Sequence, residues 1–296
     1  MKEIVVISGK GGTGKTSITA SFAVLGGTDV VVADCDVDAA DMHLLMQPDF
    51  EHEDDFYSGE LAYIDQSNCT RCGLCQQVCR FDAISVTNGK YTIDPLDCEG
   101  CGYYARICPT ETIINKKLMA GKWYISNIKT GSLMVHARLE IGADNSGKLV
   151  AKVKDEAKGI ALEERKDYIL VDGSPGVGCP VVSSLSGANF VVLVTEPSLS
   201  GLHDLKRVHE LVKKFNIRSG CIINKADINP GVSNDIMHFL EKEGIAHLGN
   251  LPYNEDFTKA MTQGQTIVEY EQDTLTPLLK ESWEKIKILT NQNKIK

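Results

Sequence analysis

The chain has 296 residues, 43% of them hydrophobic, which is enough for one large α/β core and a small extra module. A net charge of −9 without a long basic run argues against nucleic-acid binding, and no apolar run approaches the roughly twenty residues of a membrane helix. The chain is therefore expected in the cytoplasm, where ten cysteines point to metal or redox chemistry rather than to disulfides.

Ile4-Val5-Val6-Ile7 predicts a buried strand, and Ile18 to Leu25 has helical spacing and composition. Between them, Gly9-x-x-x-x-Gly14-Lys15-Thr16 fits a phosphate-binding loop, whose glycines let backbone N–H groups converge on phosphate oxygens at a helix N-terminus. The candidate nucleotide contacts are Gly9, Gly11, Gly12, Thr13, Gly14, Lys15, Thr16 and Ser17. Lys15 would reach the β/γ-phosphates, and the Thr16 hydroxyl would hold Mg²⁺. A second lysine, Lys10, follows the first glycine. Gly9-Lys10-Gly11-Gly12-Thr13-Gly14-Lys15-Thr16 resembles the deviant Walker A loop of the MinD/ParA/nitrogenase iron protein family of ATPases. The resemblance implies that Lys10 crosses to a partner's nucleotide, and hence an ATP-dependent homodimer; a solvated loop charge is the alternative.

Val30 to Ala33 predicts the second strand, followed by the acidic stretch Asp34-Cys35-Asp36-Val37-Asp38-Ala39-Ala40-Asp41. Carboxylates at the C-terminal edge of a parallel sheet sit where phosphates bind. By the resemblance this is switch I, in which Asp36 orients the attacking water and Asp34 precedes it. Asp41 is a candidate for the Mg²⁺ hydration shell, with helix N-capping as the alternative for Asp38 and Asp41.

Glu51 to Asp55 reads as an acidic turn. Then comes Cys69-x-x-Cys72-x-x-Cys75-x-x-x-Cys79, the spacing with which bacterial ferredoxins present thiolates around a four-iron cluster. A structural zinc site usually shows two separated pairs, so the third close cysteine favours iron. A second copy, Cys98-x-x-Cys101-x-x-Tyr104-x-x-x-Cys108-Pro109, has tyrosine where the third cysteine belongs. Residues 60–115 therefore resemble an inserted two-cluster ferredoxin domain. In that family the fourth cysteine of each half serves the other cluster. The resemblance thus implies Cys69, Cys72, Cys75 and Cys108 for a first 4Fe-4S cluster, and Cys98, Cys101 and Cys79 for a second. Three thiolates fit a three-iron cluster, a four-iron cluster with a labile ligand, or nothing stable; Tyr104 either ligates or fills the space.

Lys122 to Ile128 and Leu133 to Ile141 predict strands, and Val153 to Lys166 a helix, with Ser146 and Lys148 in a surface turn before it. Tyr168 to Val171 predicts a buried strand ending at Asp172, the Walker B position that binds Mg²⁺ through water. Gly173 to Gly176 would be switch II, with Gly176 sensing the γ-phosphate through its N–H. Cys179 stands where the nitrogenase iron protein places a cluster ligand; a buried, inert thiol is the alternative. Phe190 to Val194 is the next strand, and His203 to Phe215 a helix. Asn224-Lys225-Ala226-Asp227 taken alone resembles the guanine motif of small GTPases, but in MinD-like ATPases the asparagine contacts adenine, and the deviant loop favours ATP. Pro252-Tyr253 lies where that family packs the far side of the base. The apolar stripe Leu275, Leu278, Leu279, Trp283, Ile286 and Leu289 predicts a helix packed on the sheet rather than on a membrane.

The expected fold is α/β, a doubly wound mostly parallel sheet of the P-loop type formed by residues 1–59 and 116–296. The ferredoxin-like α+β insert follows switch I on the edge that binds nucleotide. The expected function is ATP hydrolysis in which the nucleotide state of a dimer controls a ferredoxin module for electron transfer to a redox partner. The alternatives are a cluster carrier serving an acceptor protein, or a non-catalytic nucleotide switch that recruits a partner.

Overall fold

A computed structural model of the chain describes residues 1–292. In chain order the elements begin with β1 (Lys2–Ser8), α1 (Lys15–Gly26), β2 (Val30–Asp34), α2 (His43–Met46), β3 (His52–Ile64) and α3 (Leu74–Val78). They continue through β4 (Ile84–Thr87), β5 (Lys90–Ile93), α4 (Tyr103–Ile107), β6 (Ile113–Asn127), β7 (Leu133–Leu139) and α5 (Ser146–Glu163). The remainder is β8 (Tyr168–Asp172), α6 (Cys179–Leu185), β9 (Phe190–Thr195), α7 (Leu199–Lys214), β10 (Arg218–Ile223), α8 (Pro230–Glu243), β11 (Ala246–Asn250), α9 (Asp256–Thr262), α10 (Ile267–Tyr270) and α11 (Leu275–Asn291).

The nine-stranded sheet has the order β11-β10-β9-β1-β8-β2-β7-β6-β3, and every pairing from β11 to β7 is parallel. The valine- and isoleucine-rich runs explain this, because strands buried on both faces need apolar residues at every position. Ile4, Val6, Val30 and Val32 face one layer, with α1, α10 and α11. The alternate residues Val5, Ile7 and Val31 are equally buried, on the side of α5 to α8. Because β1 has β8 on one flank and β9 on the other, the chain changes direction at the C-terminal end of β1. That is the topological switch point, where open α/β sheets bind ligands.

The stripe on α11 is absorbed by this core: Leu275, Leu279 and Ile286 are wholly buried, and Trp283 stacks on Phe22 of α1 at 5.4 Å. Each such side chain contributes roughly 1.5–3 kcal/mol on burial. Among the described residues no helix is long and apolar enough to cross a membrane.

The chain divides into two compact units: Met1–Asp54 with Lys122–Leu139 and Ser146–Lys296, and Asp55–Gly121 with Glu140–Asn145. The chain passes from the first unit to the second within β3 and returns within β6. Three local readings change. Glu51 to Asp55 is not a turn: β3 starts at His52, and its exposed acidic side chains suit the outermost strand of the sheet, where charge discourages further pairing. Ser146 and Lys148 are not in a turn but in the first helical turn of α5, which leads directly into the buried Leu149 and Val150. The helix expected from His203 begins at Leu199, because Ser198 caps it by accepting from the Gly201 N–H at 3.0 Å.

Candidate functional site

The loop between β1 and α1 can wind back on itself because glycine stands at two crowded places. A Cβ on Gly9 would lie 2.5 Å from Asp204 Cβ, and one on Gly14 would lie 2.4 Å from Asn224 Nδ2 at a φ of +87°. Gly14 is the N-cap of α1 and its carbonyl accepts from Ile18 at 3.0 Å, so the first-turn N–H groups of Lys15, Thr16 and Ser17 have no partner within the helix. Such an end favours anions. Gly11 and Gly12 are exposed, and Thr13 is buried with its hydroxyl unpartnered.

Lys15 is 5% exposed, and its Nζ stands 2.9 Å from Asp172 Oδ1 and 3.3 Å from Asp36 Oδ2. Burial lowers its pKa, but the Asp172 and Asp36 carboxylates outweigh this and hold it above the ordinary lysine value. The Thr16 hydroxyl donates to Asp172 Oδ2 at 2.8 Å, and Thr19 to Asp172 Oδ1 at 2.9 Å. Asp34 lies in the same group: Asp36 N–H donates to its Oδ1 at 3.1 Å, while its Oδ2 is buried without a partner. Burial, reinforced by the Asp172 charge, pushes Asp34 up to about 8, and burial also raises Asp36 against the pull of Lys15. Three carboxylates around one ammonium leave a local excess of negative charge. The orphaned Asp34 oxygen and the Thr16 and Asp172 oxygens fit a hydrated Mg²⁺, which binds few carboxylates and keeps several waters.

Thr19 and Glu196 belong to this site beyond the residues singled out in the sequence. Thr19 was legible as the position three after Thr16, on the same helix face. Lys10 is drawn back within its own chain: its Nζ lies 2.6 Å from Glu196 Oε1, 3.0 Å from Ser200 Oγ and 3.3 Å from Ser198 Oγ. The other Glu196 oxygen meets Lys225 at 3.0 Å, and Lys225 also donates to the Gly12 carbonyl at 3.2 Å. Asn224 is buried and donates to the Thr13 carbonyl at 2.8 Å. Asn224 and Lys225 thus brace the loop from the β10 side. Pro252 is brought beside them, since Ala226 N–H donates to the Leu251 carbonyl and Tyr253 N–H to Asp227. The Gly176 N–H donates to the Ser8 carbonyl at 2.9 Å, so it is engaged by β1 rather than free to meet a phosphate. Asp38 and Asp41 are exposed, and the Asp38 charge adds to the upward push on Asp36. Cys179 is exposed at the start of α6, not buried as one expectation had it, because the buried face of that helix is made by Val181, Ser184 and Leu185.

The second unit is built on an internal repeat of 29 residues, the separation of Cys69 from Cys98. Arg71 and Gly100 have φ of 60° and 57°, Gly73 and Gly102 have 78° and 70°, and Asp82 and Glu111 have 51° and 49°. The five-residue helices α3 and α4 end at Cys79 and Cys108, both extended. A left-handed arginine costs about 1–2 kcal/mol, so its recurrence at equivalent places marks a shape that the thiols require. Cys69, Cys72, Cys75 and Cys108 line one cavity; Cys75, Cys79, Cys98, Cys101 and Tyr104 line a second. Partial burial raises the Cys108 thiol, but the Thr112 and Thr110 hydroxyls and N–H groups outweigh it and bring it down to about 7. Such a thiol is ready to ligate. Among the described residues no three Cys, His, Asp or Glu side chains form a site for a metal ion. A cubane, by contrast, takes one thiolate per iron, and the first cavity offers Cys69, Cys72, Cys75 and Cys108.

Loop, topology and carboxylates together define a P-loop nucleotide-binding protein of the α/β class. The chain belongs to the CobQ/CobB/MinD/ParA nucleotide binding domain family, whose sequence model matches residues 4–267. It is 33% identical over 229 residues to an uncharacterized protein of Methanocaldococcus jannaschii, covering 77% of this chain and 79% of that one. Among solved structures, it resembles the cell division ATPase MinD of Pyrococcus furiosus with a TM-score of 0.57 at 20% identity, covering 97% of this chain and 99% of that one. MinD of Pyrococcus horikoshii, solved with Mg-ADP, gives 0.57 at 21% identity over 99% of each chain. These structures share the fold.

Proposed function

We propose that the chain is a Mg²⁺-dependent ATPase in which the nucleotide state of a homodimer controls an iron–sulfur module that passes electrons to a partner protein. The observation that carries this reading is the pairing, in one chain, of a braced phosphate loop facing three buried carboxylates with a 29-residue repeat that lines two cavities with thiols. Thr16, and Asp172 through water, would hold Mg²⁺, which when bound neutralises phosphate charge. Lys15 leaves Asp172 and Asp36 for the β- and γ-phosphate oxygens. Asp36, so released, accepts a hydrogen bond from a water and aligns it opposite the leaving oxygen. The water oxygen bonds to the γ-phosphorus as the bridge to ADP breaks, and ADP and phosphate depart. Lys10 leaves Glu196 and reaches the partner subunit's nucleotide. In the second unit Cys69, Cys72, Cys75 and Cys108 hold a four-iron cluster, and Cys79, Cys98 and Cys101 a second; when bound, these clusters carry single electrons.

The test is anaerobic purification, followed by measurement of ATP turnover and cluster potential with and without Mg-ATP. Lys15→Ala is expected to lower kcat by about 100-fold or more, the scale of removing one charge-stabilising donor, and to abolish the nucleotide-dependent potential shift. Turnover that is indifferent to the clusters, with a potential indifferent to nucleotide, would overturn the coupling. A cluster carrier is the second reading, motivated by the tyrosine at the third cysteine position of the second repeat; net transfer of iron and sulfide to an apo-acceptor would select it.

A further inference from the structure

The two halves of the repeat are unequal at one place. Tyr104 stands 29 residues after Cys75, at the equivalent point of α4, and is 5% exposed. Its ring packs with Ala62, Ile64 and Ile113 in the small core of the second unit. Its hydroxyl donates to Asn115 Oδ1 at 3.3 Å, and Asn115 Nδ2 donates in turn to Glu60 Oε2 at 2.6 Å. The phenol oxygen thus starts a hydrogen-bonded chain that ends on a carboxylate, and it also meets the Cys98 thiol. To ligate a metal, the phenol would have to lose its proton and give up its donation to Asn115.

We propose that the cavity of Cys79, Cys98 and Cys101 is a three-thiolate iron–sulfur site in which Tyr104 closes the fourth side without ligating. This rests on the iron–sulfur reading given above and deepens it. The group held there is one protein ligand short of a four-iron cubane, so its oxidised resting form is a three-iron cluster. The neighbouring cavity has its full set of four, and Cys75, which lines both cavities, is the thiol whose counterpart is lost. Tyr104 acts as a spacer: its ring occupies the volume of the missing thiol and keeps the apolar wall continuous with Ile113.

The experiment uses the full chain reconstituted anaerobically with ferrous iron and sulfide. Iron and sulfide are counted per chain, and EPR is recorded after ferricyanide oxidation and after dithionite reduction. Wild type is expected to carry one iron fewer than two complete cubanes need, and to show after oxidation the signal of a three-iron cluster, since an oxidised four-iron cluster is silent. Tyr104→Phe should leave the iron count and that signal unchanged. Tyr104→Cys should add one iron and remove the oxidised signal, and Cys101→Ser should remove the signal while leaving the first cluster's reduced spectrum. Loss of an iron in Tyr104→Phe would overturn the proposal by showing phenolate ligation. A single cluster insensitive to Cys101→Ser would overturn it by showing that the second cavity takes none, with the wider reading intact. No iron in any variant, Tyr104→Cys included, would overturn both. Should Tyr104→Cys not fold, Tyr104→Phe and Cys101→Ser carry the test.

Discussion

Lys15 shows how far a single residue type can be read from its neighbours. The motif predicts its role toward phosphate, yet its partners in the structure, Asp36 and Asp172, come from the ends of two different strands. Their meeting follows from the parallel register, in which Asp34 on β2 lies opposite Asp172 on β8. A titratable residue on the neighbouring strand, opposite Asp34 in the β2–β7 register, adds a contribution of its own in acid. His136 on β7 is 4% exposed, hydrogen-bonded to Ser126 at 2.9 Å and stacked on Tyr124 at 5.0 Å. Burial, aided by His43, lowers it to about 4. In the unfolded chain the same ring takes up a proton near pH 6.5. Between those values the unfolded state binds more protons than the folded one, so stability falls as pH drops from about 6.5 to about 4. The loss should reach on the order of 3 kcal/mol. His136→Gln should flatten that part of a stability-versus-pH curve from urea denaturation; an unchanged slope would show that another group is responsible.

At the scale of elements, α11 is where a sequence stripe and a buried face coincide. Leu279 lies wholly within the core, so Leu279→Ala should cost about 2–5 kcal/mol, seen as a lower urea midpoint with unchanged slope. A cost below about 1 kcal/mol would mean that α11 packs more loosely than its burial implies. The parallel strands were legible for the same reason as this helix, since Val30 to Ala33 and Phe190 to Val194 have no polar residue to spare for solvent. Less legible were β3 and the start of α5. The acidic stretch Glu51 to Asp55 looks like a turn until the strand is seen at the edge of the sheet, and Gly147 looks like a turn until a Cβ added there is seen to fall 3.3 Å from Cys179 Cβ. Glu196 was invisible because its significance depends on Lys10, 186 residues earlier and with no periodicity to link them. The cysteine spacing is plain in the sequence, but the left-handed Arg71 and the Tyr104–Asn115–Glu60 chain are not, because neither leaves a spacing signal.

At the scale of the whole molecule, the contact between Lys10 and Glu196 sets what assembly must undo. Both side chains are partly exposed, so the contact is readily exchanged. Lys10→Ala should leave nucleotide binding within a few-fold of wild type and abolish ATP-dependent dimerisation, as read by light scattering with a non-hydrolysable analogue. A dimer that persists in Lys10→Ala would remove this lysine from the interface. Glu196→Gln, which frees Lys10 while keeping the shape of its partner, should shift the monomer–dimer balance toward dimer at a given nucleotide concentration.

The stack of Trp283 on Phe22 also makes the chain its own optical reporter. There are two tryptophans in the sequence, and they have different surroundings. Trp123 has the Lys152 ammonium 4.4 Å from its ring centre, while Trp283 is held by Phe22 and, edge-on at 5.9 Å, by Tyr168. Phe22 belongs to the helix whose first residue is Lys15. Should nucleotide capture displace that helix, the shift would register in the emission of this one indole, so the proposed ATP cycle would be readable by fluorescence in unlabelled protein.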